Sequence, residues 1–242
     1  MLRRRLSLFA GYCVIIGAFV IAGLWGNRAA TVFSGNGIKK DTVCFVIDAG
    51  HGGIDGGAVS CSGVAESTIN LQISLRLRDL LHLLGYDTKM IRTEDVSIYT
   101  SGNTIAAKKA SDLKERVRII NSTDRAVLLS IHQNHFVDSF YRGGQVFYAS
   151  TEGSKLLAAA IQNQFVCTIN LGSNRKIKPV EGIYIMKHIA CPAVLIECGF
   201  LSNPEEEFLL RSDDYQKKVC MVISTACSDF LEKMQLDPTV ES

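Results

Sequence analysis

Apolar positions along the chain fall into short unbroken runs and longer stretches with a repeat of three or four. Val43-Cys-Phe-Val-Ile47 is apolar throughout and stops abruptly at Asp48-Ala-Gly50. Unbroken runs of that length belong to strands buried on both faces. Ala126 to His132, Gln145 to Ala149, and Ala193 to Glu197, announced by Pro192, read the same way, and Tyr86 to Ile91 and Ile183 to Met186 are read as two more strands. Helical spacing begins at Glu66, where Ile69, Ile73, Leu77, Leu81 and Leu84 recur and Gly85 supplies the stop. Asp112 is placed to cap a short helix with Leu113, Val117 and Ile120 turned inward. Ser154 to Leu171 is a third helix, ended by Gly172; Ser202-Asn-Pro-Glu-Glu-Glu opens a fourth, and a long helix runs from about Asp213 to Met234. Thr93 to Ser111, rich in Ser, Thr, Asn and Lys, has no period and is expected to be a loop bordering the substrate. Strands alternating with helices predict one α/β domain over residues 42–236, a mostly parallel, mixed central sheet flanked by helices on both faces.

Leu6 to Trp25 is a run of another kind, uncharged throughout and preceded by Arg3-Arg-Arg5. As a helix it is long enough to span about 30 Å of hydrocarbon, and the arginines hold its start on the cytoplasmic side. Residues 1–30 are therefore expected to be a signal-anchor or a signal peptide cleaved near Ala29 and Ala30, with 31–41 a connector. The formal charge of +2 changes once Arg3, Arg4, Arg5 and Arg28 are set aside, because 22 basic residues then face 24 acidic ones. A body of −2 lacks the basic footprint of a nucleic-acid binder. The 8 Cys form no C-x-x-C pair; Cys13 sits in the apolar run, Cys44 and Cys198 in strand-like runs, and Cys220 and Cys227 on one helical face. Mostly free, buried thiols are expected rather than a disulfide framework.

In α/β sheets ligands collect beyond the carboxyl ends of the strands, so polar groups ending apolar runs are the candidates for chemistry. Three runs end in this way, at Asp48-Ala-Gly-His51-Gly-Gly, Ser130-Ile-His132-Gln-Asn and Leu195-Ile-Glu197-Cys-Gly, while Glu66 opens the first crossover helix. His51, Glu66 and His132 form a mixed nitrogen and oxygen set suited to one Zn²⁺ with a position left open. Glu197 is an acid inside an apolar strand, costly unless used or paired. Burial would raise its pKa and suit it to carry a proton; the structural alternative is a buried ion pair with Lys187 or Arg118. His135, three residues beyond His132, points to the other face of an extended segment and is kept as a rim residue. His82 lies mid-helix and His188 in a loop, away from any ligand role. Gly50, Gly52 and Gly53 are expected to turn the chain and leave N–H groups open to a substrate carbonyl. A phosphate cradle is excluded, since no G-x-G-x-x-G or G-K-S/T follows the strand.

These boxes, in this order, resemble the zinc-dependent N-acetylmuramoyl-L-alanine amidases of the Amidase_3 family from about Val43 to Leu231, most of all its spore-cortex, germination-specific members. The carriers are the D-A-G-H-G-G box, the glutamate opening the next helix, the histidine of S-I-H, and Pro192-Ala-Val-Leu-Ile-Glu-Cys-Gly-Phe-Leu-Ser-Asn203. The resemblance implies a metal on His51, Glu66 and His132, with Glu197 as the catalytic acid. It implies hydrolysis of the amide between the lactyl group of muramic acid and L-alanine in peptidoglycan, outside the cytoplasm. It also implies a part in forming muramic lactam in the spore cortex and an accessory lipoprotein in some members, while membrane attachment through the N-terminal segment and no nucleic-acid partner are expected from the apolar run and the charge balance. Cys198 after the acid departs from the family pattern and concerns packing. No wall-binding repeat is recognisable, which leaves localisation to the anchor or a partner. The rivals are a non-catalytic peptidoglycan-binding module, whose mark would be a lost ligand or acid, and a zinc exopeptidase. Such an exopeptidase often needs a second metal, for which Asp48 and Asp55 are the nearest ligands.

Overall fold

The first apolar run forms β1 (Cys44–Ala49) inside a six-stranded sheet ordered β2 (Asp87–Met90), β1, β3 (Ala126–Asn134), β6 (Ala193–Phe200), β4 (Gln145–Tyr148), β5 (Lys178–Pro179). The first four are parallel; β4 runs antiparallel to β6, and β5 runs parallel to β4. The computed structural model describes residues 43–236. The expected signal-anchor or signal peptide, the connector and Cys13 lie outside the described residues. Among these residues no helix is long and apolar enough to cross a membrane.

Alternation along the strands sorts the core into two layers. Phe45, Ile47, Val127, Leu129, Ile131, Val194 and Ile196 face one side, packed with residues of α1 (Glu66–Leu83), α3 (Ser154–Thr168) and α6 (Asp213–Leu236). Val46, Leu128, Ala193 and Leu195 face the other, against α2 (Ile105–Asn121) and the single-turn α4 (Tyr184–His188). Each fully buried Phe, Leu or Ile here contributes about 1.5–3 kcal/mol. The expected α/β sheet with helices on both faces is what forms, and its second layer is the thinner one.

α1 starts at Glu66 and ends in paired bonds from Gly85 N–H to His82 C=O and from Tyr86 N–H to Leu81 C=O, which satisfy its last carbonyls. α5 (Pro204–Leu210) starts as expected, with the Asn203 side chain accepting from the Glu205 and Glu206 N–H groups.

Three expectations fail. Ile183 to Met186 is not a strand: α4 is helical, its Tyr184 and His188 rings stacked at 4.1 Å, because a four-residue apolar run has no period to tell strand from helix. Thr93 to Ser111 is not all loop, since α2 begins at Ile105 with Thr104 as its cap. Its first turns are exposed, Ile105 by 69%, so they carry no apolar stripe to read. Asp112 is therefore mid-helix, bonding Arg116 and the Ile98 N–H instead of capping. The expected strand at Gln145 forms as β4, and β5 beside it adds an edge the sequence reading lacked, short and ending in Pro179, which an edge tolerates. Among the described residues every cysteine is free, but only Cys198, Cys220 and Cys227 are buried, while Cys61 and Cys167 are exposed.

Candidate metal and acid–base site

Three neighbouring parallel strands end together, and side chains of one parity, Asp48, His132 and Glu197, project into the thinner layer. His132 and Glu197 are register partners across β3 and β6. Just beyond them the pairing slips, so that Asn134 meets Phe200 and β6 carries one extra residue. Such irregularities re-aim strands beside functional sites. His51 follows β1 in the left-handed region, at φ +62°, which a non-glycine residue enters at a cost.

Glu66 joins the two imidazoles. Its Oε2 lies 3.3 Å from His51 Nε2 and its Oε1 lies 3.0 Å from His132 Nδ1. One donor atom from each of the three residues lies within 4.8 Å of the others, a grouping that could hold a metal ion. The rings meet edge to face at 5.0 Å. Glu66 also accepts from the Ala58 and Gln133 N–H groups and from Asn70 Nδ2. Burial works against its ionisation, but the bonds to His132 and His51 outweigh burial and hold the carboxyl well below the usual carboxylate range. His51 has the opposite balance of the same kind, burial opposing its charge and Glu66 and Asp55 raising its pKa. Asp55 Oδ2 sits 3.1 Å from His51 Nδ1 and Asp55 Oδ1 sits 2.9 Å from Lys109 Nζ, which orients the imidazole with Nε2 toward Glu66.

Glu197 differs from the other acids. Its Oε2 is buried with no hydrogen-bond partner, and burial pushes its pKa up to about 7. Neither Lys187 nor Arg118 pairs with it; Arg118 pairs with Glu115. Its carboxyl lines the same cavity of about 480 Å³ as His51, Glu66 and His132. Lys108, Lys109 and Ser97 line that cavity too, and Ile183, Tyr184 and Met186 supply apolar lining. Part of the 93–111 segment thus borders the cavity as expected. His135 is exposed at the end of β3, His188 is bonded to the Tyr184 carbonyl and His82 to Thr88.

Two readings of the glycine box change. The N–H groups of Gly50, Gly52 and Gly53 are not open to a ligand, being taken by Ile131 C=O, Asp55 C=O and Asp95 Oδ1. Gly50 is needed for closeness instead, since a Cβ there would strike the His132 ring. Gly57, which sequence reasoning missed, combines φ +71° with a position where a Cβ would strike Glu66 and His51. Also missed were two buried arginines. Arg116 pairs with Asp48 and donates to the Ala49 and His51 carbonyls, and Arg92 donates to the Ala49 and Gly50 carbonyls. Arg116 falls on the inward stripe of Leu113, Val117 and Ile120, and a cation there was the available signal.

Fold and site define an α/β protein with a three-donor centre at the strand ends and a protonatable carboxyl beside it. Residues 45–229 match the family model described as N-acetylmuramoyl-L-alanine amidase. The germination-specific N-acetylmuramoyl-L-alanine amidase of Bacillus subtilis is 37% identical over 180 residues, 73% of this chain and 75% of that protein. The CwlD amidase of Clostridioides difficile, solved in complex with the GerS lipoprotein, superposes with a TM-score of 0.76 at 37% identity, covering 79% of this chain and 99% of that one. A second Clostridium difficile structure, an N-acetylmuramoyl-L-alanine amidase, gives a TM-score of 0.68 at 31% identity, over 79% and 98% of the two chains. The chain belongs to the N-acetylmuramoyl-L-alanine amidase family, and it is an enzyme of that class.

Proposed function

We propose that this protein is a zinc-dependent amidase that hydrolyses the bond between the lactyl group of N-acetylmuramic acid and L-alanine in peptidoglycan. The observation that carries the reading is Glu197, a buried carboxyl with an unpartnered oxygen, set beside His51, Glu66 and His132 in one cavity. Two imidazoles and a carboxylate fit Zn²⁺ by donor chemistry, and Asp55 supports the His51 ring as metal-site carboxylates do. Zinc held by these three residues would supply Lewis acidity toward the scissile carbonyl and toward water.

The rest is proton handling by the chain's own groups. Ionised Glu197 takes the proton of the attacking water and, once protonated, delivers it to the nitrogen of the departing L-alanine. Burial raises the Glu197 pKa in the metal-free protein, a bound Zn²⁺ would act in the opposite direction, and a carboxyl under both influences can accept the proton and return it. The apolar side chains of Ile183, Tyr184 and Met186 in the cavity lining would limit water around a bound substrate. Asp48 is engaged by Arg116 and Ser130, and Asp55 by His51 and Lys109, so neither carboxylate is free for a second ion of an exopeptidase. A non-catalytic module would have no use for the unpaired acid.

The germination-specific relative favours spore germination as the setting, which agrees with a role in the spore cortex, and the GerS complex of CwlD favours an accessory lipoprotein as partner. Peptidoglycan as substrate places the work outside the cytoplasm, reached through the 1–30 segment as anchor or signal. The test is mass spectrometry of muropeptides digested with zinc-loaded protein and with chelator-treated protein. Peptides with a free L-alanine amino terminus and glycans with a free lactyl carboxyl are expected only from the loaded sample. Cleavage within the glycan, or equal digestion without zinc, would overturn the reading.

A further inference from the structure

Arg92 is fully buried, and its donors go to main-chain carbonyls. Nε donates to Ala49 C=O at 2.9 Å, Nη1 to Glu94 C=O at 2.9 Å, and Nη2 both to Gly50 C=O at 3.0 Å and to Ser67 C=O at 2.9 Å. Its nearest carboxylate, Asp95, is 3.9 Å away and half exposed. Burying a guanidinium on carbonyl dipoles alone is costly, so the arrangement needs a return beyond packing.

The two carbonyls sharing Nη2 identify that return. Gly50 immediately precedes His51 and Ser67 immediately follows Glu66, so a single nitrogen ties the strand-end segment carrying one donor to the helix start carrying another. Asn70 closes the same ring from within α1, its Nδ2 donating to Gly50 C=O at 3.2 Å and to Glu66 Oε1 at 3.1 Å. Arg116 by contrast grips the β1 end alone, through Asp48 and the Ala49 and His51 carbonyls.

We infer that Arg92 is a positioning residue that fixes the spacing between His51 and Glu66 through the Gly50 and Ser67 carbonyls, and so sets metal affinity without touching metal or substrate. The inference rests on the reading of these donors as a zinc site. Lys at this position keeps a charge but has a single nitrogen at the end of a flexible stem, and cannot reproduce a fork serving four carbonyls. Loss of the bridge lets the two segments part, and outer supports of metal ligands typically carry about 10–100-fold in affinity.

Zinc affinity of the full chain, measured by competition with a chromogenic chelator, tests this for wild type, Arg92→Lys, Arg92→Met and Leu81→Ala. Leu81 is buried at the far end of α1 and serves as a control for loss of stability alone. A 10–100-fold weaker affinity is expected for Arg92→Met and a smaller loss for Arg92→Lys, with Leu81→Ala lowering the thermal midpoint at unchanged affinity. Turnover of the arginine variants should recover in excess zinc with KM unchanged. If Arg92→Met does not fold, the Lys variant decides. Wild-type affinity in the folded arginine variants, or equal weakening in Leu81→Ala, overturns the inference. A wild type that binds no zinc overturns the metal reading itself.

Discussion

Two buried charge clusters sit one below the other at the end of β1, and they are built on opposite terms. In the lower one Asp48 meets Arg116 and Ser130 Oγ, and Arg116 spends its remaining donors on Asp112 and two carbonyls, so every charge has a partner. In the upper one Glu66 is fully engaged, but Glu197, a neighbour of His132, keeps an oxygen with no partner. A satisfied network holds geometry, whereas an unsatisfied buried acid holds its proton loosely near neutral pH. The difference separates the part of the strand ends that fixes atoms in place from the part on which the proposed reaction rests.

The largest effect should come from the unsatisfied cluster. Glu197→Gln keeps size and loses the titrating proton, so turnover on muropeptides should fall by about 10²–10⁴-fold, with thermal midpoint and zinc content measured in parallel and held near wild type. Comparable turnover would remove Glu197 from the reaction and dissolve the contrast. Next comes the satisfied cluster. Arg116→Met leaves Asp48 buried without its cation, which should cost about 3–5 kcal/mol in a denaturant titration; Asp48→Asn added to it should recover part of that loss.

The smallest effects are those of pH on zinc-free protein, and the two clusters should act in opposite directions. Burial works against ionisation of Asp48, but Arg116 overrides it and lowers the pKa. Its stabilisation is therefore present above the unfolded value and lost as pH falls below about 4. Glu197 is raised to about 7 by burial, so its contribution is present below about 4.3, the unfolded value, and lost as pH rises toward 7. Thermal midpoints across pH should show an acid-side decline blunted by Asp48→Asn and a neutral-side decline blunted by Glu197→Gln. A single variant flattening both limbs would mean the clusters titrate as one.

How far the sequence announced this arrangement depends on where each signal sits. His51, His132 and Glu197 end apolar runs, so one run-and-stop pattern picks out three side chains that the sheet brings to one rim. Glu66 was legible because it opens a strongly periodic helix. Arg116 acts on a segment 65 to 68 residues away and Arg92 on main-chain carbonyls up to 43 residues away, and nothing local distinguishes them from solvated arginines beyond the position of Arg116 on an inward face. Tyr184–His188 was misread because a single turn has too few residues for period to speak, and the start of α2 was missed because its exposed turns rest on the Thr104 cap. The slip between His132 and Asn134 depends on how two strands align, which neither strand encodes alone.

The single turn α4 packs Ile185 and Met186 into the thinner core layer and is tied to α2 by Asn121, whose side chain donates to the His188 carbonyl and accepts from the Ala190 N–H. It supplies apolar lining of the cavity while none of the three donor side chains or Glu197 belongs to it. Ile185 and Met186 are held by the core, but Ile183 and Tyr184 line the cavity from less buried positions, which makes these two the natural place for an engineer to redraw the cleft while the donor set stays unaltered.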